Sequence, residues 1–143
     1  NTERVGTRHG SWISNDDHSP KHVHLLGLNG AGPLVAAARA IAGGKIDKAA
    51  IDTAGFRFTG LTSYRDPQFL VGAVKYGDLP ALLALSAPHE LWLAGENGKT
   101  PAVVASAFRA AGHADNVTSS SQQNPANDAV SWLLSRRMQV IAL

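Results

Sequence analysis

The segment with the clearest chemical meaning is Gly27-Leu28-Asn29-Gly30-Ala31-Gly32. It lies between a short apolar run and an alanine-rich run, where a strand would pass into a helix. Two chemistries use such a turn. In a nucleophile elbow, G-x-S-x-G forces a sharp bend that exposes the middle side chain, and the next backbone N–H helps build an oxyanion hole. Here the middle residue is Asn29, flanked by the small residues Gly27 and Ala31. An amide nitrogen is not a nucleophile, and no neighbouring base can make it one. In a dinucleotide turn, Gly27, Gly30 and Gly32 would let a phosphate approach a helix N-terminus. Asp52, closing the next strand, would then hold the ribose. The spacing is G-x-x-G-x-G, not the usual G-x-G-x-x-G. A third reading needs no chemistry, because glycines also make plain tight turns.

Other residues invite weaker readings. His22 and His24 flank Val23, so a strand would point both to one face. With His18, and with Asp16 and Asp17 in the same loop, they suggest a divalent-metal site. A polar strand start at the surface accounts for them better, and no metal ligand is assigned. Arg57 and Arg65 have the chemistry to hold a carboxylate or phosphate, or simply to solvate a surface. Trp12, Trp92 and Trp132 are too dispersed for a sugar-stacking platform and read as core or interface.

The elements that must position these residues follow one grammar. Short apolar runs at His22–Leu28, Lys48–Asp52 and His89–Ala94 read as buried strands, with a weaker one at Val117–Ser120. Helices fall between them. Pro33 opens one and Gly43-Gly44 ends it; Asp78-Leu79-Pro80 starts a second. Thr100 as N-cap and Pro101 as first residue open a third, closed by Gly112. Asn124-Pro125 opens the last, through Arg136. Strand–helix alternation predicts an α/β fold: a mainly parallel sheet of about four or five strands with helices on both faces. Residues 1–21 form a polar N-terminal segment and 138–143 a small apolar tail, within one domain spanning 1–143.

Composition narrows the function. With 44% hydrophobic and 17% charged residues, the chain can build a core and is not wholesale disordered. The absence of cysteine excludes disulfides, thiolate metal sites and a cysteine nucleophile. No apolar run approaches the roughly 20 residues of a membrane span. A net charge of +2 without a Lys/Arg cluster leaves no nucleic-acid footprint. The start at Asn1, with neither Met nor an apolar leader, reads as a processed or trimmed product. The compartment stays open.

Three blocks carry a resemblance. They are His24-Leu25-Leu26-Gly27-Leu28-Asn29-Gly30-Ala31-Gly32-Pro33 with Ala36 to Ala40, then Asp66 to Leu70 with Gly72 to Pro80, then Leu83 to Glu96. From His22 to about Leu134 the chain resembles the α/β-hydrolase superfamily, and within it the acetyl xylan esterase-like hydrolases. The resemblance implies a carboxylic-ester hydrolase ancestry, no cofactor, and compatibility with export. It puts the nucleophile position at Asn29, the triad acid at Glu96 or Asn97, and the histidine between Ser121 and Asn124, where no histidine stands. Such hydrolases have several strands before the elbow, so this chain looks like a C-terminal half. A strand that is central in the parent would then be an edge, and exposed apolar edges pair. The expectation is a homo-oligomer or a complex with a complementing N-terminal fragment.

If the chain acts on esters, its pocket lies at the strand exits around Asn29, Gly30, Asp52 and Glu96. Gly27, Gly30 and Ala31 would shape the substrate site. The Gly30 N–H would polarise a carbonyl, and Glu96 or Asp52 would act as general base on water. The ligand would be a small ester or carbohydrate ester. The alternative is a non-catalytic binding or assembly module of the same fold, and the third is a nucleotide-binding α/β domain.

Overall fold

The computed structural model describes residues 21–135. The polar stretch before it, with Trp12, Asp16, Asp17 and His18, lies outside the described residues, as do Arg136 and the 138–143 tail. Four strands form one sheet: β1 (His24–Gly27), β2 (Lys48–Asp52), β3 (Glu90–Ala94) and β4 (Val117–Ser119). Every pairing is parallel and the spatial order is β1-β2-β3-β4. The helices are α1 (Gly32–Ala42), α2 (Asp78–Ala84), α3 (Ala102–Ala110) and α4 (Ala126–Leu134). This is the α/β fold that the strand–helix alternation predicts.

Alternation along the strands splits the core in two. Ala49, Ile51, Leu91 and Leu93 face one side and pack with Ala36 of α1, Leu79 and Leu83 of α2, and Val104 and Phe108 of α3. Ala50, Trp92 and Ala94 face the other side and meet Ala129 and Leu133 of α4. Burying each large apolar side chain stabilises the fold by about 1.5–3 kcal/mol. The layering follows from topology. Strands added in sequence order by right-handed crossovers put every connecting helix on one face. Only α4, which follows the last strand, is free to cross and cover the other.

The strands leave the sheet together. Gly27 pairs with Ile51, Asp52 with Ala94, and Leu93 with Ser119, so the loops after all four emerge at one end. Two glycines set how closely α1 seats there. A Cβ on Gly27 would lie 2.9 Å from the Val35 Cβ, and one on Gly32 would lie 2.1 Å from the Asp52 carbonyl oxygen. At its other end α1 is tied by Arg39, whose side chain is fully buried. Its Nη1 donates to the Gly43 carbonyl at 2.8 Å and to that of Ile46. Burial pushes the Arg39 pKa down.

Local details differ from the sequence reading. The first strand begins at His24, and His22 stays outside it, exposed. Thr100 does not cap α3. Pro101 holds that position with no side-chain cap, and the Thr100 hydroxyl bonds the Ser119 hydroxyl at 2.6 Å. Propensity at the cap gave way to a tie between the loop after β3 and the end of β4. Between β2 and α2 the chain runs irregularly, broken only by a 3-10 turn at Phe58–Gly60.

Candidate functional site

The turn between β1 and α1 is closed by the Ala31 N–H, which donates to the Leu28 carbonyl at 3.0 Å. At its apex Asn29 has φ 53° and Gly30 φ 88°. A non-glycine residue in the left-handed region is uncommon and costs about 1–2 kcal/mol, least for Asn and Asp. Both apex residues are exposed. Helix α1 starts immediately after, with Pro33 in its first turn and no side-chain cap. The Gly30 N–H meets no acceptor among the described residues. Sharp turn, positive φ at the middle residue, and helix directly behind it are the geometric features of a nucleophile elbow. The side chain presented is a carboxamide.

The acids have different fates. Asp52 ends β2, and its Oδ1 accepts the Ala54 N–H at 2.9 Å. It lines a cavity of about 210 Å³ at the strand exits, together with Asn97, Ser120, Ser121, Gln122 and Gln123. Glu96 does not line it. Its side chain is only 9% exposed and is gripped by Arg57, with Nη1 to Oε1 at 2.9 Å and Nη2 to Oε2 at 2.6 Å. The Thr53 hydroxyl adds a third donor at 2.6 Å. This pairing raises the Arg57 pKa, the hydrogen bond to Glu96 outweighing burial. A carboxylate with both oxygens occupied in a fork is poorly placed to take a proton from water. Arg57 does hold a carboxylate, but the chain's own.

The sequence-selected residues thus divide. Asp52 and Asn97 share the polar strand-exit cavity with the loop after β4. Of the two positions that the resemblance gives to the acid, Asn97 lies beside Ser121, Gln122 and Gln123 of the histidine region in this cavity, and Glu96 does not. Gly30 and Ala31 line a different, apolar cavity of about 320 Å³, with Leu34, Phe58, Phe69 and Leu70. Asn29 lines neither of these two. Gly27 is buried against Val35 and lines neither of these two cavities. Gln68, a wall of the same apolar cavity, donates from Nε2 to the Gly30 carbonyl at 2.9 Å and ties the loop after β2 to the turn.

Sequence reading did not single out Gln68 as a partner of the elbow, nor Thr53 as a partner of Glu96. The available signal was the rule that ligands gather beyond the carboxyl ends of parallel strands. It marks Thr53 as readily as Asp52, but not which of them points inward. At the opposite end of the sheet, the His22 and His24 rings lie 6.4 Å apart. Asp47 approaches His22 at 3.7 Å and accepts the Val23 N–H at 2.8 Å. That backbone bond is the main reason its carboxyl sits below the usual range. No cluster of three or more candidate metal ligands forms among the described residues. No helix among them is long and apolar enough to cross a membrane.

Compared with models of known families, with curated proteins and with solved structures, the chain matches none.

Proposed function

We propose that this chain is an α/β-hydrolase-like module that receives a small ester or carbohydrate ester at its strand exits and does not form an acyl-enzyme. The observation that carries the reading is the turn at Asn29, held at φ 53° between a parallel strand and its helix. That conformation is costly for most side chains, least so for Asn, and it holds the carboxamide at an exposed apex. Beside it, the Gly30 N–H, which meets no acceptor among the described residues, would bind a carbonyl oxygen. The carboxamides and hydroxyls around Asp52 supply donors and acceptors for a neutral, oxygen-rich ligand. Without serine or cysteine at the elbow and without histidine after β4, covalent acyl transfer lacks both nucleophile and base.

A second reading, slow direct hydrolysis, draws on one observation: Asp52 faces the cavity while Glu96 is tied up. Asp52 would then be the base acting on water.

The test pairs binding with turnover. Acetylated xylo-oligosaccharides and a chromogenic acetate are titrated by calorimetry and followed for release, with mass spectrometry for acylated protein. We expect saturable binding, no covalent adduct, and affinity reduced about tenfold or more in Asp52→Asn, as for loss of a charged hydrogen bond. Turnover lost in Asp52→Asn but kept in Glu96→Gln would favour the second reading. An acyl adduct on the wild type, or no binding to any ester, would sink the proposal.

A further inference from the structure

Two of the chain's seven asparagines precede glycine, Asn29-Gly30 and Asn97-Gly98. Asparagine is among the thermolabile residues, and most so before glycine, which has no side chain to shield its backbone nitrogen. Folding decides whether such a pair can react. Both pairs sit at strand exits, one after β1 and one after β3. Both occupy the centre of the same kind of turn. The Ala31 N–H closes one on the Leu28 carbonyl at 3.0 Å, and the Lys99 N–H closes the other on the Glu96 carbonyl at 3.0 Å. Asn29 and Gly30 have φ 53° and 88°, Asn97 and Gly98 φ 53° and 73°. Positive φ at both central residues is the type I′ signature, which Asn-Gly satisfies well. All four residues are exposed. Among the described residues neither carboxamide is hydrogen-bonded, and neither glycine N–H meets an acceptor. The other described asparagines are placed differently. Asn116 donates from Nδ2 to the Pro88 carbonyl at 2.6 Å and precedes the β-branched Val117. Asn124 precedes Pro125, which has no N–H. Asn127 lies within α4.

We infer that Asn29 and Asn97 are sites of spontaneous deamidation in the folded protein. The Gly30 nitrogen attacks the Asn29 Cγ and forms an N–Cγ bond. The Cγ–Nδ2 bond breaks, and ammonia leaves with the proton that the Gly30 nitrogen gives up. The product is a five-membered imide, which water opens. Cleavage of the N–Cγ bond leaves aspartate in an ordinary backbone. Cleavage of the bond from that nitrogen to the Asn29 carbonyl carbon leaves isoaspartate, with the chain rerouted through the side chain. One carboxamide and one water become one carboxylate and one ammonium, and no other reactant is needed. Asn97 and Gly98 react in the same way. The consequences differ between the two turns. At position 29 the new charge stands just ahead of α1, whose first turn holds no acidic residue and no side-chain cap, and a helix N-terminus favours it. At position 97 it enters the cavity that Asp52 also lines, where like charges disfavour each other. The inference stands apart from the reading of the elbow and needs no ligand.

Tryptic mapping of the full chain tests it, after days in mildly alkaline buffer with circular dichroism confirming the fold. Cleavage after Lys and Arg puts Asn29 in peptide 22–39, Asn97 in peptide 76–99, and Asn116, Asn124 and Asn127 together in peptide 110–136. The first two peptides should gain the mass of amide-to-acid conversion and take up label from an isoaspartate methyltransferase. The third is the internal control and should lag behind both. Asn29→Gln and Asn97→Gln keep the carboxamide but cannot close a five-membered ring, so each should abolish conversion of its own peptide and leave the other unchanged. Gly30→Ala should slow conversion at Asn29 about tenfold or more. If either peptide converts no faster than 110–136, the inference is overturned. It is equally overturned if either stays unchanged in the native protein while the urea-unfolded chain converts it, because the fold would then protect the pair.

Discussion

Replacing Gly32 by alanine probes the link between the elbow and the sheet. The Cβ would sit 2.1 Å from the Asp52 carbonyl oxygen and 2.9 Å from its carbonyl carbon. Both atoms are backbone in a central strand paired on either side, so neither can swing away. Relief requires the start of α1 to lift by about 1 Å, the shortfall from an ordinary contact. That opens the seam filled by Ala36 and loosens the turn at Asn29. Overpacking of this kind costs about 1–3 kcal/mol, and a clash with immobile backbone belongs at or above the top of that range. Alanine returns about 0.5–1 kcal/mol through helix propensity. The net expectation is a loss of about 2–3 kcal/mol.

Urea unfolding followed by circular dichroism measures this, read as a change in midpoint at constant slope. Gly30→Ala is the control. A Cβ there meets nothing within 4 Å, and only the strain at φ 88° remains. That change should cost about 1 kcal/mol. Ligand affinity should fall in Gly32→Ala, because the turn has moved. If Gly32→Ala unfolds within about 0.5 kcal/mol of the wild type, the close approach of α1 to β2 is wrong and so is the argument from it.

Three further outcomes follow from named contacts. Arg57→Ala strands the nearly buried Glu96 carboxylate and should cost about 2–3 kcal/mol, moderated because Arg57 is one-third exposed; adding Glu96→Gln should recover part of it in a double-mutant cycle. Burial pushes the Asp78 carboxyl up, but the Leu79, Phe58 and Thr59 N–H groups together hold it below its ordinary value. Its stabilisation is present above about pH 3.9 and lost as pH falls through the lower folded value, so Asp78→Asn should flatten the acid limb of a stability–pH curve. His89 is depressed by burial first and by the Arg39 charge second. The unfolded chain then binds its proton more readily. Stability should fall as pH drops below about 6.5, and His89→Gln should remove that slope in thermal unfolding.

The fold was legible because local signals agreed. Pro33, Gly43 and Gly112 bracket helices, and the runs at Lys48–Asp52 and His89–Ala94 hold strands buried on both faces. The run at His22–Leu28 is not the buried strand it reads as, because β1 is a sheet edge with His24 and Leu26 exposed. The site was only half legible. Asp52 can be read as a strand-exit acid from position alone. The capture of Glu96 by Arg57 spans 39 residues of sequence. Nothing local distinguishes a clamped carboxylate from a free one. Thr100 shows the same limit at smaller scale: a good N-cap residue was drawn to Ser119 by a contact that exists only after folding.

The elbow separates what packing demands from what chemistry demands. Gly27 is small because Val35 abuts it, and Gly32 is small because β2 does. Those two glycines would be needed whether or not the turn did anything, so the glycine pattern cannot report a nucleophile. The middle residue is different. Its side chain is exposed and unpacked, yet its backbone stays in a conformation that glycine would hold without strain. Asn is among the few other residues that tolerate it. If the turn served only to reverse the chain, Asn29→Gly should stabilise the protein and leave ligand affinity unchanged. If the carboxamide contacts the ligand, the same change should stabilise the fold while lowering affinity. The opposite movement of those two measurements is what distinguishes a retained site from a relic of packing.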